Sequence, residues 1–229
     1  MILYDLVNAR GTHFSPNSWR VRMALAHKGL AYEVRDLRFI DVPTLHPQGE
    51  KLTIPTLVHQ DRWITDSWAI VRYLDEAFAD TPRLSGQSAN ETALLQFFQN
   101  WVQTTMHAGL ARLIMQDLFT GLVPEDQPYF RESRERVFKL SIEQIQAGRE
   151  ERLDGFRKSL QPLRQAVTAQ PFVGGQQPSY ADYLAFGALQ WARISSSLVL
   201  LAPDDAVHTW FERCLDLYGG VGRLDAAAL

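Results

Sequence analysis

The pattern of apolar residues changes character once along the chain, and that change restricts the fold more than any other feature. Up to residue 80, short strand-like runs alternate with helical spacing. Residues 2–7 read as a strand, 8–17 as a loop, and 18–28 as a helix that ends in basic residues ahead of Gly29. Residues 31–37 make a second strand, residues 56–59 and 62–64 flank a turn at Gln60 and Asp61, and residues 67–78 carry Trp68, Ile70, Val71 and Leu74 at helical spacing. The order is βαβ, then ββα. A hydrophilic stretch containing Pro82 and Gly86 follows, and beyond it strand signals disappear. Leu94, Leu95, Phe98, Trp101, Val102, Met106 and Leu110 recur at three- and four-residue steps. Residues 124–128 interrupt the helical pattern, the charged stretch 129–167 supplies one or two further helices with a solvated face, and two more helices fall near 180–194 and 206–217. The expected architecture is an α/β unit over residues 1–80, a linker over 81–90 and an all-helical unit over 91–229.

The 229 residues are 46% hydrophobic, enough for a substantial core without staples. Lys and Arg number 23 against 26 Asp and Glu, a balance without the basic footprint of a nucleic-acid binder. Cys214 is the sole cysteine, so an internal disulfide, a CxxC centre and cysteine-based zinc spacing are excluded, and a reducing cytoplasm suits the chain. The first residues lack the basic flank and long apolar run of a secretion signal, and no run approaches the roughly 18 apolar residues of a membrane span. No membrane partner is expected.

Four short segments carry chemistry. In Phe14-Ser15-Pro16-Asn17-Ser18, the proline suits a first helical turn, whose amides favour a nearby anion, and the Ser15 hydroxyl can donate to that anion. Ser15 equally serves as a helix cap with no ligand. In Leu52-Thr53-Ile54-Pro55, a cis Ile54–Pro55 bond would turn the Ile54 backbone outward to pair with an extended peptide, whereas a trans bond is an ordinary strand entry. Asp66 and Ser67 open a helix, where free amides and the Ser67 hydroxyl can hold a carboxylate and Asp66 an ammonium group. Here too a plain cap is the competing reading. Finally, Ser179 and Asp182 have capping-box spacing, a structural device.

Taken in order, these segments resemble the cytosolic glutathione transferases, and the likeness covers nearly the whole chain. The resemblance implies a thioredoxin-like first domain that binds glutathione, an all-helical second domain that takes the electrophile, and a homodimer. It implies Ser15 as the catalytic contact to the glutathione thiolate; Asn17 can add a second polar contact or serve simply as an early helix residue. Ile54 beside cis-Pro55 would pair with the cysteinyl backbone, and Asp66 with Ser67 would hold the γ-glutamyl end. Thr53 stands where many transferases have a basic residue, and Lys51 is the substitute partner for the glycine carboxylate. Trp101, Met106 and His107 are candidates for the electrophile pocket; the plainer reading is core packing for Trp101 and Met106 and a surface or satisfied polar residue for His107.

Within the family, Ser15 to Arg20, Ala26-His27-Lys28-Gly29, Thr65-Asp66-Ser67-Trp68, Gln146-Ala147-Gly148-Arg149-Glu150 and Gly219-Gly220-Val221-Gly222-Arg223 resemble the bacterial β-aryl ether-cleaving and fungal etherase-related branch. The sequence ends at Leu229 without the long extension of some ether-cleaving members, so part of their substrate pocket is expected to be absent. His13, His46, His59 and His107 show no metal-ligand spacing, and no metal is expected. A thiol-disulfide oxidoreductase would need a cysteine near Ser15, where there is none. A noncatalytic glutathione-binding protein of the same fold is the alternative to a transferase.

Overall fold

The computed structural model describes residues 1–228. Strand β1 (Ile2–Leu6) leads through a loop to helix α1 (Pro16–His27) and back to β2 (Glu33–Leu37), which pairs parallel with β1 and sets Ile2 opposite Glu33. A parallel pair needs such a crossover, and α1 is it. After a 3₁₀ turn at Phe39–Thr44 come β3 (Thr56–His59), β4 (Arg62–Thr65) and helix α2 (Ser67–Ala77). The sheet order is β2-β1-β3-β4, with β3 antiparallel to both neighbours. Gln60 and Asp61 both adopt positive φ, 50° and 63°, which lets two residues close the β3–β4 hairpin. This is the thioredoxin-like arrangement expected, except that α1 begins two residues early, because Pro16 sits inside its first turn.

The remaining elements are helical. Helix α3 (Ala89–Trp101) passes through a π-helical turn at Val102–His107 into α4 (Ala108–Thr120). The charged stretch read as one or two helices forms four: α5 (Gln127–Phe138), α6 (Ile142–Gln146), α7 (Arg149–Ser159) and α8 (Gln161–Ala169). The reason is local punctuation. Left-handed Lys139 stops α5, a Ser141–Gln144 capping box starts α6, left-handed Gly148 precedes α7, and Pro162 opens α8. Helices α9 (Tyr180–Ser195) and α10 (Ala206–Leu215) follow, and a short helix α11 (Leu217–Gly220) runs into a 3₁₀ turn at Val221–Arg223.

Helix α9 is the spine of the molecule, with thirteen of its residues buried. Asp182, fully buried, accepts from the Val173, Gly174 and Ser179 amides, the Ser179 hydroxyl and Trp210 Nε1, at 2.7 to 3.2 Å. Helix α1 packs between the sheet and α9, so Ser18 through Leu25 are all buried. Gly187 permits that contact. A Cβ at Gly187 would lie 2.4 Å from the Pro16 carbonyl oxygen and 3.3 Å from Arg20 Cγ.

The hydrophilic segment between α2 and α3 is tied down. Lys28 Nζ, buried, lies 2.8 Å from Asp75 Oδ1 and donates to Thr81 Oγ1 and the Pro82 carbonyl. Asp75 in turn accepts from the Leu84 and Ser85 amides and the Ser85 hydroxyl. Burial raises the Asp75 carboxyl, but Lys28 and the Ser85 donors outweigh it and hold its pKa below the ordinary value.

Candidate active site

At the start of α1, Ser15 is buried and its Oγ accepts from the Ser18 amide at 3.3 Å, so it is a helix cap. A hydroxyl has two lone pairs and one proton, and capping uses only a lone pair. The proton stays available to an acceptor in front of the helix. Pro16 has no N–H, Ser18 bonds to Ser15 Oγ, and Trp19 bonds to the Ser15 carbonyl. The Asn17 amide is left as the first-turn N–H with no acceptor among the described residues, at the positive end of the helix.

Opposite this turn runs the loop from Lys51 to Ile54, and the Ile54–Pro55 bond is cis. Thr53 is clamped by a residue twelve positions away: its amide donates to Thr65 Oγ1 at 2.8 Å, its hydroxyl lies 2.7 Å from the same atom, and Thr65 Oγ1 donates back to the Thr53 carbonyl at 2.7 Å. The clamp ties the loop to the end of β4, next to Asp66. Asp66 caps α2 through one oxygen, Oδ1, which accepts from the Trp68 and Ala69 amides at 3.0 Å. Its backbone stands at φ 75° and ψ 126°, a region costing a non-glycine residue about 1 to 3 kcal/mol, and such strain clusters at ligand sites. The exposed Asp66 carboxylate and the buried Ser67 lie outside the main cavity, beyond the Thr53–Thr65 clamp.

That cavity, about 510 Å³, has Ser15, Pro16, Asn17, Lys51, Thr53 and Ile54 on one side. On the other stand His107, Ala111, Met115, Tyr129, Phe130, Arg134, Phe138 and Trp191 from the helices. Its size and largely apolar lining are those of a small-molecule site. Pro55 is buried in the loop behind Ile54.

Trp101 and Met106 are not brought into the cavity. The π-helical turn inserts a residue and turns the face: Met106 goes wholly into the core, Trp101 packs on Phe98 with ring centroids 5.4 Å apart, and His107 reaches the cavity wall. The helical wall itself is what the sequence reading lacked. Arg134, Val137 and Phe138 sit in the charged stretch that reads as a solvated face, and no spacing signal marks them as lining a site.

The glutathione S-transferase N-terminal domain family matches residues 11–82, and the glutathione S-transferase C-terminal domain family matches residues 93–214. The chain belongs to the glutathione S-transferase family. Glutathione S-transferase U1 of Arabidopsis thaliana is 28% identical over 188 residues, covering 79% of this chain and 69% of its own length. Glutathione S-transferase 1 of Dianthus caryophyllus is 42% identical over 71 residues, 29% of this chain and 32% of its own. In fold, the chain is similar to a glutathione S-transferase of Ceriporiopsis subvermispora solved in complex with glutathione, with TM-score 0.78, 22% identity and 96% of each chain covered.

Within this transferase, two of the segments that carry the etherase-related reading of the sequence serve as scaffold. Gln146 Oε1 accepts from the Gln116 and Asp117 amides, its Nε2 donates to Asp117, and Arg149 pairs with Asp117, stapling α4 to the start of α7. Gly222 lets the chain pass Leu215 and Phe186, where a Cβ would lie 2.9 Å from each. Cys214 is buried, and burial pushes its thiol well above the ordinary value, leaving it inert.

His107 Nε2 lies 3.1 Å from Arg20 Nη2, and since a guanidinium can only donate, the histidine proton sits on Nδ1. Burial, then the Arg20 charge, lowers the His107 pKa to about 3. The folded protein therefore resists a proton that the unfolded chain accepts below pH 6.5, so stability falls as pH drops through that value and flattens only near 3. His107→Gln, which keeps an acceptor for Arg20, should cut the stability lost between pH 7 and pH 5 by about 2 kcal/mol relative to the parent. Urea melts at the two pH values test this, and an identical loss in both proteins would refute the neutral buried histidine.

Proposed function

We propose that this transferase binds glutathione, lowers the pKa of its thiol and directs the thiolate at a hydrophobic electrophile held between the two domains. What supports this is the Ser15 hydroxyl on the cavity wall, capped inward and free to donate outward, beside the unclaimed Asn17 amide. A free thiol titrates near pH 8.5, and lowering it by about two units takes roughly 2.7 kcal/mol of preference for the thiolate, within reach of one hydroxyl and oriented amides. In this assignment Ile54 pairs with the cysteinyl backbone in front of Pro55, and the Asp66 oxygen not used for capping meets the γ-glutamyl ammonium while Ser67 meets its carboxylate. Lys51 takes the glycine carboxylate. The clamp on Thr53 leaves that side chain as support for the loop and not as a primary contact.

Residues 1–80 would then carry glutathione and residues 91–229 the electrophile, joined through 81–90. The electrophile reaction is nucleophilic displacement: a carbon–sulfur bond forms, and the leaving group departs with the electron pair. For a β-aryl ether next to a ketone that group is a phenolate of pKa near 10, which needs no strong acid. Such an activity would serve detoxification in the cytoplasm. A homodimer is the expected assembly, and Leu94 and Phe97 on α3, 69% and 72% exposed, are apolar surface it can cover.

The test is to assay a generic aryl halide and a model β-aryl ether ketone side by side, reading halide and phenol, with a thiolate difference spectrum on adding glutathione. Halide without phenol removes the ether-cleaving reading and keeps the transferase. Tight glutathione binding with neither a thiolate signal nor turnover would favour the noncatalytic alternative.

Asp66→Asn keeps a capping oxygen and tolerates positive φ but removes the charge. It should raise the Kd for glutathione about tenfold by titration calorimetry, in line with loss of one charge-assisted bond. An unchanged Kd would dismiss Asp66 as the ammonium partner.

A further inference from the structure

The arginines of α5 differ in one respect. Arg131 bridges Glu135 and Glu143, and Arg136 pairs with Glu132. Arg134, on the same helix, has no carboxylate within ion-pair distance and no hydrogen-bond partner among the described residues. It is partly buried on the cavity wall with its guanidinium 4.9 Å from the centre of the Phe130 ring, and burial lowers its pKa from the ordinary value. A guanidinium seated against apolar surface without a counterion, its nitrogens still open to the cavity, is placed to pair with an anionic ligand that enters and displaces water.

The lining of the cavity includes no Asp or Glu. Its titratable residues are Lys51, His107, Tyr129 and Arg134. Lys51 comes from the loop beside Ile54 and is assigned to glutathione. Arg134 stands on the opposite, helical side among Tyr129, Phe130 and Phe138, where the electrophile would lie. A guanidinium stacked on one ring keeps its in-plane N–H edge free for a planar anion, and carboxylate is the anion that matches it with two bonds.

We propose that the electrophile pocket selects aromatic substrates bearing a carboxylate, with Arg134 as the residue that recognises the acid. The inference rests on the transferase reading for the reaction itself: the thiolate forms a bond to the carbon bearing the leaving group, a ring carbon in an aryl halide or the aliphatic carbon of a β-aryl ether, and the halide or aryloxide leaves with its electron pair. Recognition of the acid does not require turnover, so the two can fail separately.

The full chain, saturated with S-methylglutathione so that no reaction occurs, is titrated with a chloronitrobenzoate and with the matching uncharged benzamide. The benzoate should bind about tenfold tighter than the amide, the size of one charge-assisted contact. Arg134→Met should abolish that preference by weakening the benzoate alone, Arg134→Lys should keep part of it, and neither should alter glutathione affinity. Equal binding of acid and amide to the parent overturns the proposal. So does an Arg134→Met variant that weakens both equally, that instead loses glutathione affinity, or whose preference survives until Lys51→Met is made. Halide release with free glutathione is then measured: its absence from both compounds, with the binding preference intact, counts against the transferase reading and leaves acid recognition standing.

Discussion

Ser15→Ala should lower kcat toward an aryl halide by roughly 10²-fold, the scale seen when one donor to a developing or resident anion is removed, while the Kd for glutathione moves less than about threefold. In the proposed assignment the peptide is held elsewhere, at Ile54, Asp66 and Ser67, so affinity should be spared. The thiol pKa of bound glutathione should climb back toward about 8.5, so the activity missing at neutral pH returns as pH rises through that value. Ser15 Oγ also accepts from the Ser18 amide, so the alanine variant should lose about 0.5 to 2 kcal/mol of stability as well. Ser15→Asp separates the two effects. Its carboxylate keeps the cap and the stability but repels a thiolate, so it should be as inactive as the alanine variant and melt close to the parent. An unchanged pH–rate profile in Ser15→Ala would move the catalytic role to the Asn17 amide.

The largest loss of stability is expected at Asp182. Asp182→Ala leaves five donors, Trp210 Nε1 buried and the other four part-buried, without their acceptor and should cost about 3 to 5 kcal/mol, as breaking a network around a buried charge does. The less obvious expectation is that Asp182→Asn fares little better. Oδ1 serves the Val173 amide and Trp210 Nε1, and Oδ2 serves the Gly174 and Ser179 amides and the Ser179 hydroxyl, so an amide NH₂ in either place faces donors. Urea unfolding measures both variants. Should both be insoluble, Trp210→Phe removes a single donor and should cost less than either. Asparagine within about 1 kcal/mol of the parent would show that the network tolerates a neutral acceptor, contrary to this account.

What the sequence made legible was whatever is governed within a few residues. The Ser179–Asp182 box, the Gln60–Asp61 hairpin and the shift from strand to helical spacing near residue 90 all depend on local geometry, and each stands in the structure where it reads in the sequence. Ser15 read either as a cap or as a donor, and the structure makes it a cap without using its proton. Long-range pairing hid the rest. The Thr53 clamp is set by Thr65, and nothing near Thr53 announces it. A one-residue π insertion exchanges Met106 for His107 at the cavity, and helical spacing cannot register an insertion that side chains do not encode. Arg134 looks like its solvated neighbours because only the fold decides which arginine of a charged helix finds a glutamate.

The contact at Gly187 bears on how such chains can be recombined. Because α9 of the helical unit meets the Pro16 carbonyl with no room for a methyl group, the depth at which α1 seats, and with it the height of the Ser15 hydroxyl, is fixed by a residue 172 positions downstream, as 187 − 15 gives. A first domain exchanged for that of another transferase brings its own helix contour to this seat, and one bulkier where it meets Gly187 or differently inclined at Pro16 would tilt the Ser15 hydroxyl with no change to any residue of the proposed glutathione site. In such chimaeras, activity should follow the match between α1 and α9 more closely than the identity of either domain's ligand contacts.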